Sequence, residues 1–173
     1  MTGNNNKWSL IIEIIYIIIL TYFSFSLIFK DNYRIFIFDD FNLLIHEAGH
    51  IVFGIFGHII GLLGGTVMQI IIPIIFLIYF LIKCDCLGTG FSVFWIGDNL
   101  INISHYILDT KDQILPLVGG GLHDWFEILS SLNLLNSYKL IGTTVFIVGM
   151  IMLVISLYLN IYNVVSTYIS NKN

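Results

Sequence analysis

Residues 41–56 read FNLLIHEAGHIVFGIF, an apolar run that is interrupted by two histidines and one glutamate. His46 and His50 are four residues apart, so on a helix they share one face and can present two imidazole nitrogens to one metal ion. Glu47 lies between them and can act as general base on a metal-bound water, the arrangement of H-E-x-x-H zinc hydrolases. Ionisable groups at membrane depth are costly and indicate function.

The composition predicts the surroundings of this motif. The chain has 173 residues, of which 57% are hydrophobic and 10% are charged, whereas soluble domains are about 25% charged. This excludes an ordinary soluble globule and predicts an integral, multi-pass membrane protein surrounded by lipid, in the cytoplasmic membrane if the source is bacterial. The formal net charge of −4, without a basic patch, argues against a nucleic-acid partner.

The hydrophobic pattern predicts an all-α bundle in one domain over residues 1–173. About 20 apolar residues are needed to cross a bilayer, and we expect about five such helices plus one short embedded or re-entrant helix. Asp39 or Asp40 is a plausible N-cap for the second helix, and Gly57-His58 with residues 61–65 is expected to form a turn before the third. The predicted helices are, in chain order, about 8–30, 40–57, 66–83, 90–108, 122–135 (the short one) and 138–163.

Two histidines do not complete a catalytic zinc site, which usually takes three protein ligands and a water. The best candidates for the third ligand are His123 and Asp124, adjacent at the edge of an apolar segment, where they are costly without a partner. If Asp124 is the ligand, His123 could orient it or hold substrate. If His123 is the ligand, Asp124 could be the carboxylate that holds its ring. Weaker candidates are Glu13, His58, His105 and Glu127.

These motifs resemble the site-2 protease family of intramembrane zinc metalloproteases. The resemblance rests on residues 46–50, on Gly57 and the Gly64-Gly65 pair, and on the Pro116-containing segment that leads to Asp124. It implies that Asp124 is the third zinc ligand and that the substrates are transmembrane or membrane-associated proteins. The chain departs from the family's L-D-G motif, because it reads Leu-His-Asp-Trp over residues 122–125, and this keeps His123 open as the alternative ligand.

Further polar residues could contact a substrate. On the fourth helix, Asn99 or Asn102 could hold substrate or the oxyanion, and Gln69 on the third helix could bond an unwound substrate strand. The glycine-rich segments 61–65 and 119–121 are candidates for the surface that receives this strand. The alternative for each polar residue is an interhelical hydrogen bond that stabilises the bundle by about 1 kcal/mol.

The sequence therefore predicts an intramembrane zinc metalloprotease with Zn²⁺ held by His46, His50 and Asp124 or His123, and with Glu47 as general base. An alternative is a non-catalytic membrane protein that binds metal for sensing or transport. A third interpretation is a structural membrane subunit in which the motif is accidental.

Overall fold

The computed structural model describes residues 3–30, 34–116 and 123–170, and within these ranges every regular element is helical. The predicted all-α class is confirmed by a bundle of helices without a strand in the described ranges. The elements are α1 (Gly3–Phe29), α2 (Phe36–Gly54), α3 (His58–Ile82), α4 (Cys86–Leu108), α5 (Asp124–Ser131), a 3₁₀ turn (Leu135–Ser137) and α6 (Tyr138–Ser170).

Within the described residues, three helices are long and apolar enough to cross a membrane: Leu10–Phe29, His58–Ile82 and Leu135–Ile169. Their outward faces carry large apolar side chains that no other part of the described chain covers, among them Ile18, Ile78 and Val154. Apolar surface on this scale is typical of helices that contact lipid. These helices indicate a membrane protein.

Helix α4 lies at the centre of the bundle and buries residues on all of its faces. It packs along α6 and also contacts α3 and α1. The core joins Leu20 and Leu27 of α1 with Phe94 and Ile101 of α4 and Leu153 of α6. A helix that is buried all round is a rigid support for polar side chains, because its position is fixed by neighbours on several sides.

Helices α2 and α3 pack through glycines, and this corrects the prediction of a turn at residues 61–65. The turn spans residues 55–57, with a φ of +116° at Gly57, and α3 begins at the next residue. A Cβ at Gly49 would overlap the carbonyl of Gly64, and a Cβ at Gly64 would lie 2.5 Å from the carbonyl oxygen of Gly49. Small residues allow such close approach of helices in membranes, and this packing outweighs the low helix propensity of glycine.

The predicted N-cap of α2 is wrong. The helix begins earlier, with Ile35 as the N-cap, and Asp39 lies one turn inside it. The carboxylate of Asp39 reaches back and accepts a hydrogen bond from the Ile35 backbone N–H at 2.6 Å. Asp39 therefore satisfies one of the free N–H groups of the first turn from within the helix.

Other helix boundaries also differ from the predicted ones. Helix α1 begins before residue 8, α4 begins at Cys86 rather than at about residue 90, and α6 continues to Ser170 rather than to about 163. Asp85 explains the early start of α4, because its side chain accepts a hydrogen bond from the Gly88 backbone N–H as an N-cap. The short helix is only eight residues long, and a 3₁₀ turn follows it.

Candidate metal centre

The polar residues of α2 lie on the side that faces the bundle. Asp39, Asn42, His46 and Gly49 are buried, whereas apolar residues such as Ile37 and Ile51 are about four-fifths exposed on the opposite side. The separation is that of an amphipathic helix. As predicted from their spacing, both histidines of the motif point to the interior, and their ring centroids are 4.7 Å apart.

Asp124 meets both histidines. Its Oδ2 atom lies 3.1 Å from Nε2 of His46 and 3.3 Å from Nε2 of His50. One potential ligand atom from each of the three residues falls within 4.8 Å of the other two. The His46–His50–Asp124 group thus combines residues that are far apart in sequence, and two nitrogen atoms and one oxygen atom converge on a common point.

The protonation of His50 follows from its other ring nitrogen. Nδ1 of His50 lies 2.8 Å from the backbone carbonyl oxygen of Gly61. A carbonyl can only accept a hydrogen bond, so Nδ1 carries the proton. In the neutral imidazole, Nε2 then has a free lone pair, and this is the atom that faces Asp124.

A chain of amides fixes His46 in the same way. The Asn99 side-chain amide donates to the backbone carbonyl of Gln69 at 2.9 Å, which leaves the Asn99 side-chain oxygen to accept from the Gln69 amide at 3.4 Å. The Gln69 side-chain oxygen must then face His46, and it lies 2.8 Å from Nδ1. Because Gln69 offers an acceptor there, His46 also carries its proton on Nδ1 and points the Nε2 lone pair to Asp124.

The consequence is a set of acceptors facing one another. Two neutral imidazole nitrogens and one carboxylate oxygen converge, and His46 and Asp124 are each only 7% exposed. Such an arrangement is unfavourable unless a cation or additional protons neutralise it. Histidine rings whose second nitrogen is held by a carbonyl or amide oxygen are typical of metal ligands. The residues present therefore fit a divalent metal ion.

His123 is not part of this group. It is the N-cap of α5, and its Nδ1 accepts a hydrogen bond from the Phe126 backbone N–H at 3.2 Å. Its Nε2 points to Asp109, 3.6 Å from Oδ2. Burial lowers the pKa of His123, although the carboxylates of Asp109 and Asp124 act in the opposite direction. Because Nδ1 accepts the hydrogen bond from the Phe126 N–H, this atom carries no proton. Of the two candidates for third ligand, the geometry brings Asp124 to the histidines.

A cavity of about 810 Å³ runs along α2 and contains the metal-capable group. Glu47 lies on the wall of the same cavity, is half-buried and is adjacent to His46 in sequence. The other wall comes from α3 and α4 and from Leu115 and Pro116. A volume of this size is in the range of sites that bind small molecules or short peptide segments.

The three residues predicted to contact substrate have different positions. Asn102 lies on the cavity wall and donates a hydrogen bond to Asp39 at 2.9 Å. Gln69 also reaches the wall, but its side-chain oxygen is used by His46. Asn99 is fully buried behind Gln69. Their substrate roles remain predictions, and the hydrogen bonds assign Gln69 and Asn99 a second task, which is to orient His46.

The predicted glycine surfaces are only partly described. Residues 61–65 belong to α3 and pack against α2 and His46, and residues 119–121 lie outside the described residues. The remaining histidines are not among the three grouped residues: His58 begins α3, and His105 stacks on Phe146 with ring centroids 6.0 Å apart.

Tyr106 is a residue of the site that was not predicted from the sequence. Its hydroxyl lies 3.4 Å from Oδ2 of Asp124 and 3.1 Å from the Asp124 backbone nitrogen. Tyr106 is seven residues after Asn99 and therefore lies two helical turns further along the same face of α4. The polar face that contains Asn99 and Asn102 could have indicated it.

Comparison with known proteins gives no relative. No protein-family model, no curated protein and no solved structure matches the chain.

Proposed function

We propose that this chain is an intramembrane zinc metalloprotease that hydrolyses peptide bonds of transmembrane or membrane-associated proteins. The observation that carries the proposal is the convergence of His46, His50 and Asp124 beside Glu47 on one cavity wall. The two histidines and Glu47 form an H-E-x-x-H sequence, the spacing that zinc hydrolases use. The resemblance to the site-2 protease family supports the same function.

The chemistry divides between the ion and the chain. When bound, zinc lowers the pKa of its water to about 7 and polarises the scissile carbonyl. His46, His50 and Asp124 would hold the ion. Glu47 takes a proton from the water while the oxygen of that water bonds to the carbonyl carbon of the substrate. As the C–N bond breaks, Glu47 gives that proton to the leaving amine nitrogen.

The membrane arrangement is part of the proposal. Besides the three apolar helices, α2 and α4 would also lie within the bilayer, so that five helices cross it and α5 is embedded from one side. At 1.5 Å per residue, α2 is about 28 Å long and α4 about 34 Å long, and a hydrocarbon core is about 30 Å thick. Both carry polar residues that face the bundle and the cavity. This topology would place the zinc site within a multi-pass integral membrane protein, and in the cytoplasmic membrane if the source is bacterial.

Metal content tests the site. Elemental analysis of detergent-purified protein should give about one zinc per chain for the wild type and for His123→Ala. His46→Ala and Asp124→Ala should lose it. Zinc lost in His123→Ala but kept in Asp124→Ala would reverse the ligand assignment. A wild type without zinc, even after zinc is supplied, would overturn the proposed function.

Glu47→Gln tests catalysis separately from binding. The variant should keep its zinc and lose cleavage of labelled single-span membrane proteins in liposomes by at least about 100-fold, since general acid–base catalysis contributes at least that much. Asp40→Asn is the matched control, because Asp40 is an exposed acid on the same helix that pairs with Arg34. Cleavage that persists in Glu47→Gln would contradict the assigned base. A wild type that binds zinc but cleaves none of these substrates would favour a non-catalytic metal-binding role.

A further inference from the structure

Tyr106 connects α4 to the acidic residue of the metal-capable group. Its hydroxyl oxygen lies 3.1 Å from the backbone nitrogen of Asp124 and 3.4 Å from the Oδ2 atom of the same residue. The side chain thus touches both the main chain and the carboxylate of one residue. Besides this hydroxyl, the described side chains that reach the Asp124 carboxylate are the rings of His46 and His50.

The direction of both hydrogen bonds can be deduced. A backbone N–H can only donate, so the tyrosine hydroxyl accepts from Asp124 and uses an oxygen lone pair to do so. Its single proton is then free for the carboxylate, which can only accept when ionised. One hydroxyl therefore satisfies both contacts, with no conflict over the proton.

The backbone contact matters because of where Asp124 lies. It is the first residue of α5, where the N–H groups have no partner within the helix. Helix α5 has only eight residues, so its own hydrogen bonds do little to fix its end. The hydroxyl supplies a partner from α4, which is held by neighbours on several sides.

The tyrosine ring has separate contacts. Its centroid is 4.2 Å from that of His123 and 6.2 Å from that of His46. These contacts involve the aromatic face and would remain in a phenylalanine. The hydroxyl can therefore be removed with little change in packing.

We propose that Tyr106 is a positioning residue of the metal centre, whose hydroxyl sets the place of the Asp124 backbone and the orientation of its carboxylate toward His46 and His50. The inference rests on the proposed zinc site. Tyr106 acts through Asp124 and takes no part in moving the substrate's protons. Mutation of a residue that hydrogen-bonds a metal-binding carboxylate typically lowers the metal affinity by about 10- to 100-fold.

The test compares Tyr106→Phe with Tyr158→Phe, which changes an exposed tyrosine on α6. Zinc affinity is measured in detergent by competition with a chromophoric chelator, and the Co²⁺ absorption spectrum reports ligand geometry. We expect Tyr106→Phe to bind zinc about 10- to 100-fold more weakly and to shift the Co²⁺ bands. Tyr158→Phe should match the wild type in both measurements. The helical circular dichroism of the metal-free protein should be unchanged in both variants.

A double-mutant cycle separates this role from a general effect on the site. The Asp124→Ala background keeps only the two histidine ligands and is expected to lose zinc during purification. In this background, Tyr106→Phe should not lower further the weak zinc affinity that titration measures, because the group that it positions is gone. If Tyr106→Phe has the zinc affinity and the Co²⁺ bands of the wild type, the positioning role of Tyr106 is overturned and the proposed zinc site is unaffected. Loss of helical signal in its metal-free form would also overturn it, since the hydroxyl would then serve folding. A wild type that binds no zinc would overturn the proposed function as well.

Discussion

The imidazole of His46 lies directly against the backbone of Gly65. A Cβ atom at Gly65 would be 2.5 Å from Nε2 of His46 and 2.6 Å from its two neighbouring ring carbons. The atom that meets this position is the nitrogen that faces Asp124. Helix α3 therefore holds the ring in two ways: Gln69 binds Nδ1, and the absence of a side chain at Gly65 leaves room for Nε2.

Gly65→Ala should displace the His46 ring and weaken zinc binding strongly, by at least about tenfold, because ligand geometry is disturbed directly. The Cβ cannot be accommodated by a flexible chain end, since it meets a ring held by a hydrogen bond. Zinc affinity of the purified protein is the measurement. An unchanged affinity would mean that His46 does not sit against α3 in this way.

Gly54→Ala is the matched control for that variant. It also places a methyl group near the α2–α3 interface, but no atom lies within 4 Å of the position of its Cβ. Zinc affinity should stay at the wild-type value. The helix itself should be slightly more stable, because alanine has a higher helix propensity than glycine. Equal losses in both variants would show that the interface, and not the ring, is what responds.

Gln69→Leu removes the acceptor for the His46 Nδ1–H and introduces an apolar side chain of similar size. The ring is then free to turn or to move its proton to Nε2, so zinc affinity should fall by about 10- to 100-fold. Gln113→Leu alters an exposed glutamine and should leave the affinity unchanged. A Gln69→Leu protein that binds zinc as tightly as the wild type would remove Gln69 from the support of the metal centre.

Zinc should stabilise the fold by mass action. At a free zinc concentration 100 times Kd, the gain in unfolding free energy is about 2.7 kcal/mol, which is measurable as a rise in Tm followed by circular dichroism. A chelator should reverse the rise. His50→Ala should abolish it, and His58→Ala should keep it because His58 is outside the metal-capable group. Equal stabilisation by Mg²⁺ would contradict a site with two imidazole ligands.

Asn42→Leu should destabilise the bundle without direct loss of a metal ligand. The Asn42 amide donates to the buried carboxylate of Asp98 at 2.9 Å and accepts from the Trp95 indole N–H at 2.7 Å. Removal leaves two buried polar groups without this partner, at about 1–3 kcal/mol each. Thermal unfolding in detergent measures the loss. Asn136→Leu, at an exposed site where the side chain accepts a hydrogen bond from Lys111, should change Tm little.

Much of the candidate metal centre could be predicted from the sequence because its signals are local or chemically unusual. The spacing of His46 and His50 is a helix pattern, and Asp124 is a costly acid in an apolar region. The choice between Asp124 and His123 could not be made from sequence. It depends on which way α5 turns, and this is decided by the bonds of His123 to the Phe126 N–H and of Tyr106 to Asp124.

The glycines of α3 show where local reasoning fails. Three glycines over residues 61–65 predict a turn by conformational preference. In the bundle they are helical, because the absence of side chains lets α2 approach and leaves space for a histidine ring. Contacts between distant residues decide this, and the chain's own periodicity does not contain them. The role of Gln69 in orienting His46 could not be predicted for the same reason, because its partners His46 and Asn99 lie 23 and 30 residues away in the sequence.

The separation of Asp124 from the histidines has a consequence for the unfolded chain. His46 and Asp124 are 78 residues apart in sequence, so an ion held by both would cross-link the chain as a disulfide does. On the chain-entropy account, a link of this length that persists in the unfolded chain restricts it by about 4.5 kcal/mol. The ion would thus act as a reversible cross-link between α2 and α5. Release of the ion would allow the unfolded polypeptide to extend further. We therefore expect the metal-loaded protein to be extracted from the membrane more slowly than the metal-free protein.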